Sequence, residues 1–456
     1  MKASILILLI VAISYAARDA DLVTTPMPGC TDTSFKMYSG YLDVLEGKKF
    51  HYVLAESQNN PAKDPVVFWF NGGPGCSSMI GFIQEHGPCV FLEDSDQAPS
   101  DNPQSWNKFA NMVYLESPAG VGFNKFKGSY EYDDQNVSVE NLFAVQEFFK
   151  AFPEYKSNEL YLTGESYAGI YVPYLALRIH EHNQYNANDK INLKGFGIGN
   201  AVTNWKYDTT PAYIKLAYYH GLIDKTLKEE IDSLDCDFAD VGAPPLSTEC
   251  SSALGKFYDS VKYVYPYDVY RPLESYYKAK SPAQSVEQFL VSDSEKVSSG
   301  SFARFSKMFK DVSPNDFAPV NAYMNSAGLK ASLNIPDSYS WEECSNIKYE
   351  MLPQATQWIY PILKGQYRMM HYSGDTDGVV PTIGTEDWME DLGWKITKPY
   401  TAWLVEPSYI GGFTQSRESL DFITIHGCGH MAPQWKRESS FLAISSWLKG
   451  KDLPRK

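Results

Sequence analysis

Residues 159–182 read ELYLTGESYAGIYVPYLALRIHEH, and this stretch decides the predicted fold. A β-prone run leads into Ser166, and an apolar run with helical spacing follows it. A serine can be lifted out of a sheet on a strained strand-to-helix turn when small residues stand two positions before and after it. Gly164 and Ala168 hold those positions, although the general pattern has glycine where Ala168 stands. The stretch therefore predicts a strand, a tight turn that presents Ser166 as a nucleophile, and a helix.

Short β-rich runs recur on both sides of this stretch. They are VVFWF (66–70), MVYLE (112–116), LKGFGIG (193–199), RMMHYSG (368–374), TAWLVEP (401–407) and DFITIHG (421–427). Helical patterns separate several of them, such as VSVENLFAVQEFFKAFP before the serine strand and SSFLAISSWLKG near the C-terminus. Strands that alternate with helices predict an α/β protein with a largely parallel sheet. The pattern breaks between about residues 205 and 355, a stretch that we interpret as an inserted cap.

A serine nucleophile needs a general base and an orienting carboxylate, and both lie downstream of it in α/β-hydrolases. His430 stands in GCGHMAP, after the last predicted strand and before the last helix, where that fold places its base. The segment GDTDGVVP follows another strand and offers Asp375 and Asp377. Spacing leaves the choice between the two aspartates open. His426, at a strand end, is interpreted as structural.

A second glycine-rich loop, residues 71–75 (NGGPG), follows the run VVFWF. In α/β-hydrolases such a loop supplies one N–H of the oxyanion hole, and the residue after the nucleophile supplies the other. Tyr167 and either Gly72 or Gly73 are therefore the predicted donors. A tight turn would also need these glycines, and that need is compatible with the catalytic interpretation.

Length and charge narrow the class of protein. A chain of 456 residues is long for a single core, but an α/β enzyme with one large sheet and an insertion reaches this length as one catalytic unit. The formal charge of -15 and the pI near 5.1 argue against nucleic acid as a partner, because phosphate binding needs a basic surface. The acidic composition fits an acidic working pH, at which protonation relieves repulsion between carboxylates.

The N-terminus has the layout of a secretory signal peptide. The apolar run of residues 3–17 is short for a membrane span, and cleavage is expected after Ala16 or Ala17, with a membrane anchor as the alternative. The catalytic domain would then comprise residues 18–456. An oxidising compartment makes the seven cysteines candidates for disulfides, and their odd number leaves at least one without a partner in the chain. Asn136, which begins an Asn-Val-Ser sequon, is a glycosylation candidate.

Six motifs, in the family's order, resemble those of the serine carboxypeptidases, which include yeast vacuolar, plant and lysosomal (cathepsin A-like) enzymes. They are FNGGPGCSS (70–78), ESPAGVGF (116–123), GESYAGIYVP (164–173), GIGN (197–200), YSGDTDGVVP (372–381) and GCGHMAP (427–433). The match extends over about residues 35–450. It implies an α/β-hydrolase fold with a central mixed, mostly parallel sheet and an inserted helical cap subdomain at about 205–355. The implied activity is release of single C-terminal amino acids from peptides and proteins.

The resemblance also assigns roles residue by residue. It implies Ser166 as nucleophile, Asp377 as acid, His430 as base, and Gly73 and Tyr167 as oxyanion donors. Asp375 is left with a structural role. Hydrolysis would proceed through an acyl-enzyme on the serine, which water then cleaves, and it would require no metal or organic cofactor.

Recognition of the substrate's C-terminal carboxylate is implied for Asn71, Glu165 and Glu85, which correspond to the family's Asn and two Glu. Two neighbouring glutamates cannot both ionise at low cost, so one retains a proton at acidic pH and can donate a hydrogen bond to that carboxylate. As the pH rises, the pair gains negative charge and repels the substrate. An acidic pH optimum is therefore predicted.

The family also suggests how the cysteines pair. The implied bridges are Cys76 with Cys344 and Cys236 with Cys250. A further bridge between Cys30 and Cys89 would leave Cys428 free beside His430, where a bulky thiol reagent could block the site. Cys428 also departs from the small residue that is more frequent in the family, as Ala201 departs from glycine, and neither change removes a catalytic group.

Two other functions are compatible with the sequence. A serine carboxypeptidase-like acyltransferase has the same fold and triad but passes the acyl group to an alcohol or amine, and retention of the carboxylate-binding residues favours the peptidase. A binding or protective protein would stabilise a partner, although a complete triad argues against a purely noncatalytic role. Substrate side-chain preference, the oligomeric state, with a homodimer among the options, and the choice between secretion and a lysosome or vacuole stay open.

Overall fold

The computed structural model describes residues 19–92, 98–272 and 318–455. The predicted signal peptide, residues 1–17, lies outside the described residues. The described strands are β1 (Met37–Asp43), β2 (Lys49–Ala55), β3 (Val66–Phe70), β4 (Cys89–Val90), β5 (Ser100–Asp101), β6 (Asn111–Leu115), β7 (Glu131–Asp133), β8 (Leu160–Glu165), β9 (Leu193–Gly199), β10 (Lys348–Glu350), β11 (Arg368–Gly374), β12 (Ile396–Glu406), β13 (Tyr409–Arg417) and β14 (Leu420–Ile425).

The described α-helices alternate with the strands of the two ends of the chain, and six of them lie between β9 and β11. They are α1 (Asp134–Ala151), α2 (Ala168–Tyr185), α3 (Thr210–Tyr219), α4 (Lys225–Ser233), α5 (Thr248–Val261), α6 (Ala318–Met324), α7 (Ala327–Ser332), α8 (Ile359–Leu363), α9 (Thr382–Asp391), α10 (Ala432–Trp435) and α11 (Arg437–Leu448). Short 3₁₀ turns lie at Leu45–Gly47, Trp106–Lys108 and Pro153–Tyr155, and a single turn of π-helix lies at Gly81–Glu85.

Ten strands form one sheet in the order β1-β2-β6-β3-β8-β9-β11-β14-β13-β12. The six central strands, from β6 to β14 in that order, are parallel to their neighbours. Two antiparallel strands flank them on each side. The predicted mixed, mostly parallel sheet of an α/β protein is thereby confirmed.

The sheet is buried on both faces, because successive side chains of its central strands enter two different hydrophobic cores. In β3, Val66, Phe68 and Phe70 enter the core against which α1 and α2 pack, and Val67 and Trp69 enter the core against which α11 packs. Burial on both faces explains why these strands are continuous apolar runs in the sequence.

Helix α1 begins where Asp133 caps it. The Asp133 carboxylate accepts hydrogen bonds from the backbone N–H of Gln135 at 2.8 Å and of Asn136 at 2.7 Å. The Asn136 side chain in turn accepts from the Asp133 N–H at 3.1 Å, which completes a capping box. The glycosylation candidate Asn136 is exposed, and its side chain stabilises the first turn of the helix.

Between β9 and β11 lies the stretch in which the sequence predicts a cap. Helices α3, α4 and α5 enclose a hydrophobic cluster of their own there, with Tyr213 and Phe257 fully buried in it. Strand β10, also in this stretch, pairs in parallel with β7, which lies outside it. Residues 273–317 of the predicted cap are outside the described part of the chain. Among the helices described, none is long and apolar enough to cross a membrane.

Three disulfides join the cysteines. The bonded pairs are Cys30–Cys89, Cys76–Cys344 and Cys236–Cys250, with S–S distances of 2.10, 1.97 and 1.98 Å. They confirm the two bridges implied by the family and the suggested third one. Cys428 is free, but it is fully buried, so the expectation that a thiol reagent could block the site through it is wrong for the folded protein.

Candidate active site

Four neighbouring strands of the central sheet end at the candidate site. Ser166 follows β8, Asn200 follows β9, Asp377 follows β11 and His430 follows β14. Because parallel strands have their carboxyl ends at one edge of a sheet, residues that are far apart in sequence meet there.

Ser166 lies on the sharp turn between β8 and α2. Its backbone φ is +65°, a left-handed conformation that is costly for a residue with a side chain and that recurs at active sites. A Cβ atom on Gly164 would approach the Phe70 carbonyl oxygen to 2.4 Å, so only glycine fits before the turn. Ser166 is partly exposed, whereas Glu165 and Tyr167 on either side of it are buried.

His430 and Asp377 form a buried pair. The Nδ1 atom of His430 lies 2.7 Å from Oδ2 of Asp377. The same carboxylate accepts hydrogen bonds from Asn200 Nδ2 at 2.8 Å and from the backbone N–H groups of Val379 at 2.7 Å and Val380 at 3.1 Å. These donors satisfy a carboxylate that has no exposure to solvent, and they fix its orientation toward the imidazole.

Asp375, the other aspartate of the GDTD segment, has a different partner. Its Oδ2 lies 2.6 Å from Nδ1 of His426, and its Oδ1 accepts from the backbone N–H of Gly427 at 2.7 Å. The His426 side chain is 57% exposed, so this pair lies at the surface and ties the two loops together there. The geometry thus separates the two aspartates, which spacing could not do: Asp377 contacts His430 and Asp375 does not.

The glycine-rich loop after β3 packs directly against the Ser166 turn. A Cβ atom on Gly72 would lie 2.3 Å from the backbone nitrogen of Tyr167 and 2.9 Å from Cβ of Ser166. Gly73 has a φ of +112°, which a residue with a side chain rarely adopts. The two predicted oxyanion donors, Gly73 and Tyr167, are therefore on segments that touch each other.

Asn71, Glu85 and Glu165 form a buried cluster. The Asn71 side-chain NH₂ donates to Oε1 of Glu85 at 3.1 Å and to Oε1 of Glu165 at 3.2 Å. Its carbonyl oxygen accepts from Trp69 Nε1 at 2.7 Å and from the Gly81 N–H at 3.0 Å, and these two donors determine which way the amide faces. The three residues predicted to bind a carboxylate are thus brought together.

Burial changes the acidity of this cluster. It raises the pKa of Glu85 to about 7, and it also raises the pKa of Glu165, whose neutral form is further favoured by the negative charge of Glu85. Oε2 of each glutamate is buried and has no donor among the described residues. A proton retained between the two carboxyl groups would supply one, so the cluster can donate a hydrogen bond at acidic pH.

Residues 266–268, in a Tyr-rich segment, support the loop that carries Asp377 and the loop that carries His430. The Tyr267 carbonyl accepts from the His430 N–H at 2.7 Å, and the Pro266 carbonyl accepts from the Gly378 N–H at 2.8 Å. The Asp268 carboxylate accepts from the hydroxyl group of Thr376 at 2.7 Å. Sequence reasoning assigned no role to this Tyr-rich segment, since its contacts depend on how the chain folds back onto the sheet.

Asn200 is a second residue whose role the sequence analysis missed. It stands in the quoted motif GIGN, and its φ of +39° is a conformation that asparagine adopts more readily than most residues. Its side chain donates to Asp377 and accepts from the Gly374 N–H at 3.0 Å, and its own N–H donates to the Tyr372 carbonyl at 2.9 Å. The motif was a signal that could have found it.

Comparison with known proteins gives consistent results. A family model described as serine carboxypeptidase (Peptidase_S10) matches residues 28–450. The chain is 33% identical to a mouse (Mus musculus) protein named lysosomal protective protein, with 97% of each chain covered. It is 35% identical to an Arabidopsis thaliana protein named putative serine carboxypeptidase-like 30, with 96% of this chain and 91% of that protein covered.

Among solved structures, the chain resembles a prohormone-processing carboxypeptidase from Saccharomyces cerevisiae. The two share 21% sequence identity and a TM-score of 0.71, and 95% of each chain is covered. At this level of identity the likeness concerns the fold, and it agrees with the α/β-hydrolase fold expected from the motifs.

Proposed function

The chain belongs to the serine carboxypeptidase family and is a serine-type peptide hydrolase, and we propose that Ser166, His430 and Asp377 carry out its reaction. His430 accepts the proton of the Ser166 hydroxyl while the serine oxygen attacks the carbonyl carbon of the last peptide bond. The support is the His430 to Asp377 contact of 2.7 Å through Nδ1, which leaves Nε2 as the atom that exchanges the proton.

The second half of the reaction follows from the same groups. The tetrahedral intermediate collapses, its C–N bond breaks, and His430 gives its proton to the departing amino group. Water then attacks the acyl-enzyme on Ser166 with His430 again as base, which releases the shortened peptide. Backbone N–H groups of Gly73 and Tyr167 stabilise the oxyanion in both halves.

Restriction to the C-terminal residue is assigned to Asn71, Glu85 and Glu165. The observation that carries this proposal is the buried cluster in which one amide contacts two carboxyl groups directly beside the Ser166 turn. In its protonated form the cluster offers N–H and O–H donors to a substrate carboxylate. An internal peptide bond places no carboxylate there, so it gains no such binding energy.

An acidic pH optimum follows from the raised pKa values of the two glutamates in this cluster. Below a pH of about 7, Glu85 holds its proton, and the cluster can donate to the substrate carboxylate. As the pH rises through that value, the cluster becomes negatively charged, and binding of a free-acid substrate weakens. A substrate with a C-terminal amide carries no charge there and should lose less.

The acyltransferase alternative is disfavoured by the same cluster. A transferase that passes the acyl group to an alcohol or amine has no need to bind a C-terminal carboxylate. Product analysis with and without added alcohols separates the two reactions, since a transferase yields the ester faster than the acid.

We propose both the route by which the enzyme is sorted and the place where it works. Three disulfides suit the oxidising secretory pathway. We propose that residues 1–17 direct the chain there and that the mature enzyme works in a lysosome or vacuole or after secretion. N-terminal sequencing of the mature protein and fractionation of its cells test this.

Light scattering after size exclusion tests the further proposal of a homodimer, and copurification tests a stable protein partner.

The deciding experiment compares an N-blocked dipeptide acid with its C-terminal amide from about pH 4 to 8, a range that brackets ordinary and raised glutamate pKa values. Ser166→Ala serves as the inactive control. The proposal predicts that the acid is cleaved best at low pH and that the amide loses less at high pH. Cleavage of neither substrate, together with acylation of Ser166 by an activated ester, would favour the transferase or partner-protein function.

A further inference from the structure

The π-helical turn that carries Glu85 ends in the protein interior. Residues Gly81–Glu85 are all buried, and the backbone N–H of His86 closes the turn on the Gly81 carbonyl at 3.0 Å. The last carbonyl groups of any helix lack partners within it. The Ile83 carbonyl accepts from the Phe91 N–H at 2.8 Å, and the carbonyls of Gln84 and Glu85 also need donors from elsewhere in the fold.

Arg437, the first residue of α11, supplies those donors. Its guanidinium group donates Nη1–H to the Glu85 carbonyl and Nη2–H to the Gln84 carbonyl at 2.8 Å. Nη2 also donates to the Phe91 carbonyl at 3.1 Å, beyond β4. One planar fork thereby holds three carbonyls of the segment around Glu85 in fixed positions.

We propose that Arg437 is a positioning residue for carboxylate recognition: it holds the Glu85 turn so that the Glu85 side chain meets Asn71 and Glu165. This inference rests on the proposed role of that cluster in binding the substrate's C-terminal carboxylate. Arg437 donates to backbone carbonyls of the turn, so its proposed effect on the substrate is exerted through Glu85. His430, the proposed base, lies seven residues before Arg437 in the chain. Arg437 therefore also connects the loop of His430 to the cluster of Asn71, Glu85 and Glu165.

Several charged or titratable side chains surround Glu85. They are Glu165 at the end of β8, His430 before α10, Arg437 on α11, Tyr114 in β6 and Tyr372 in β11. Burial is the largest influence and raises the pKa of Glu85, and the positive charge of Arg437 acts in the opposite direction. Loss of that charge should therefore extend the protonated state of the cluster to higher pH, in addition to loosening its geometry.

The test uses two variants of Arg437. Arg437→Gln removes both the charge and the fork, and Arg437→Lys keeps the charge but loses the fork. The matched control is Arg368→Gln, because Arg368 also donates to carbonyls at the end of a helix, those of Trp447 and Leu448, at the opposite edge of the sheet. Active sites are counted by fluorophosphonate labelling of the nucleophile, so that loss of folded protein does not enter the kinetics.

Arg437→Gln is expected to raise KM for the free-acid substrate about tenfold, while KM for the amide stays within about twofold of wild type. The fall in kcat/KM for the free acid at high pH should shift to a higher pH. Arg437→Lys should also raise KM for the acid but leave the pH of that fall unchanged. Arg368→Gln should change neither acid nor amide KM. This pattern, with KM rather than kcat affected, is not expected of a general loss of stability.

Three results would overturn the inference. The first is a preference for the acid over the amide that is unchanged in Arg437→Gln but abolished in Glu85→Ala. This result would refute the positioning role of Arg437 and leave the proposed function intact. The second is an equal loss for acid and amide in both Arg437 variants, which marks a structural role only. If Glu85→Ala itself retains the preference for the acid, the proposed carboxylate site fails and the inference fails with it.

Discussion

Replacement of Asn200 tests how the orientation of Asp377 is maintained. Asn200 donates to the Asp377 carboxylate at 2.8 Å, and both residues have no exposure to solvent. A hydrogen bond to a charged group contributes about 1.5–3 kcal/mol. Since about 1.4 kcal/mol corresponds to a factor of ten in rate, loss of this bond in the transition state should lower kcat by roughly 10- to 150-fold.

The choice of variant follows from the backbone. Because φ at Asn200 is +39°, alanine would add strain, whereas glycine removes the side chain and leaves the conformation free of strain. Asn200→Gly is therefore the main variant. Asn200→Asp keeps the size of the side chain but replaces the N–H donor by a second carboxylate beside Asp377, and it should cause the larger loss.

Steady-state kinetics with the dipeptide acid, corrected for the number of labelled active sites, measure the effect. The expected result is a lower kcat with KM within about twofold of wild type, since Asn200 contacts the proposed catalytic acid and not the proposed carboxylate-binding cluster. A kcat within about twofold of wild type in Asn200→Gly would refute the reasoning that this hydrogen bond maintains the dyad.

Four substitutions and one labelling experiment have defined outcomes. Asp377→Asn should lower kcat by about four orders of magnitude. Asp375→Asn should leave kcat nearly unchanged, because that carboxylate pairs with an exposed histidine. Measurement of kcat for the two purified variants tests this difference. Glu85→Gln retains a neutral N–H donor at every pH, so the fall in kcat/KM for the free acid as the pH rises through about 7 should become shallower, and an unaltered slope contradicts the proposed role. Gly72→Ala would place a methyl group 2.3 Å from the backbone nitrogen after the nucleophile, so fluorophosphonate labelling should be lost; normal labelling would show that the loop can move away. A maleimide should leave native Cys428 unmodified and should label one thiol per chain after denaturation without reductant, as mass spectrometry can measure.

The central strands were predictable because the sheet is covered on both faces. Runs such as VVFWF and LKGFGIG correspond to β3 and β9 residue for residue. Strands β1, β2 and β13 were not predicted. β13 contains adjacent glycines, and a Cβ atom on Gly411 would lie 2.1 Å from the Trp403 ring. Close packing against this ring therefore requires glycine, which is a residue that does not indicate a strand in the sequence.

The residues of the proposed catalytic and binding site could be selected from the sequence to the extent that they stand in local motifs. Ser166, Asp377 and His430 each lie in a short segment with its own turn chemistry, and the structure brings Asp377 and His430 into contact. Arg437 could not be found in this way. Its partners are backbone carbonyls from a segment about 350 residues earlier, and carbonyl groups are the same in every sequence.

The arrangement of catalytic groups on four adjacent strands bears on how the enzyme is made. Ser166 is synthesised long before His430, which follows β14, the last strand of the described sheet in chain order. Domains fold during synthesis from the N-terminal end, so a growing chain contains the nucleophile long before it contains the base. A nascent chain that ends before β14 therefore holds the proposed nucleophile without the proposed base, and the proposed reaction must await synthesis of that strand and of the loop that follows it.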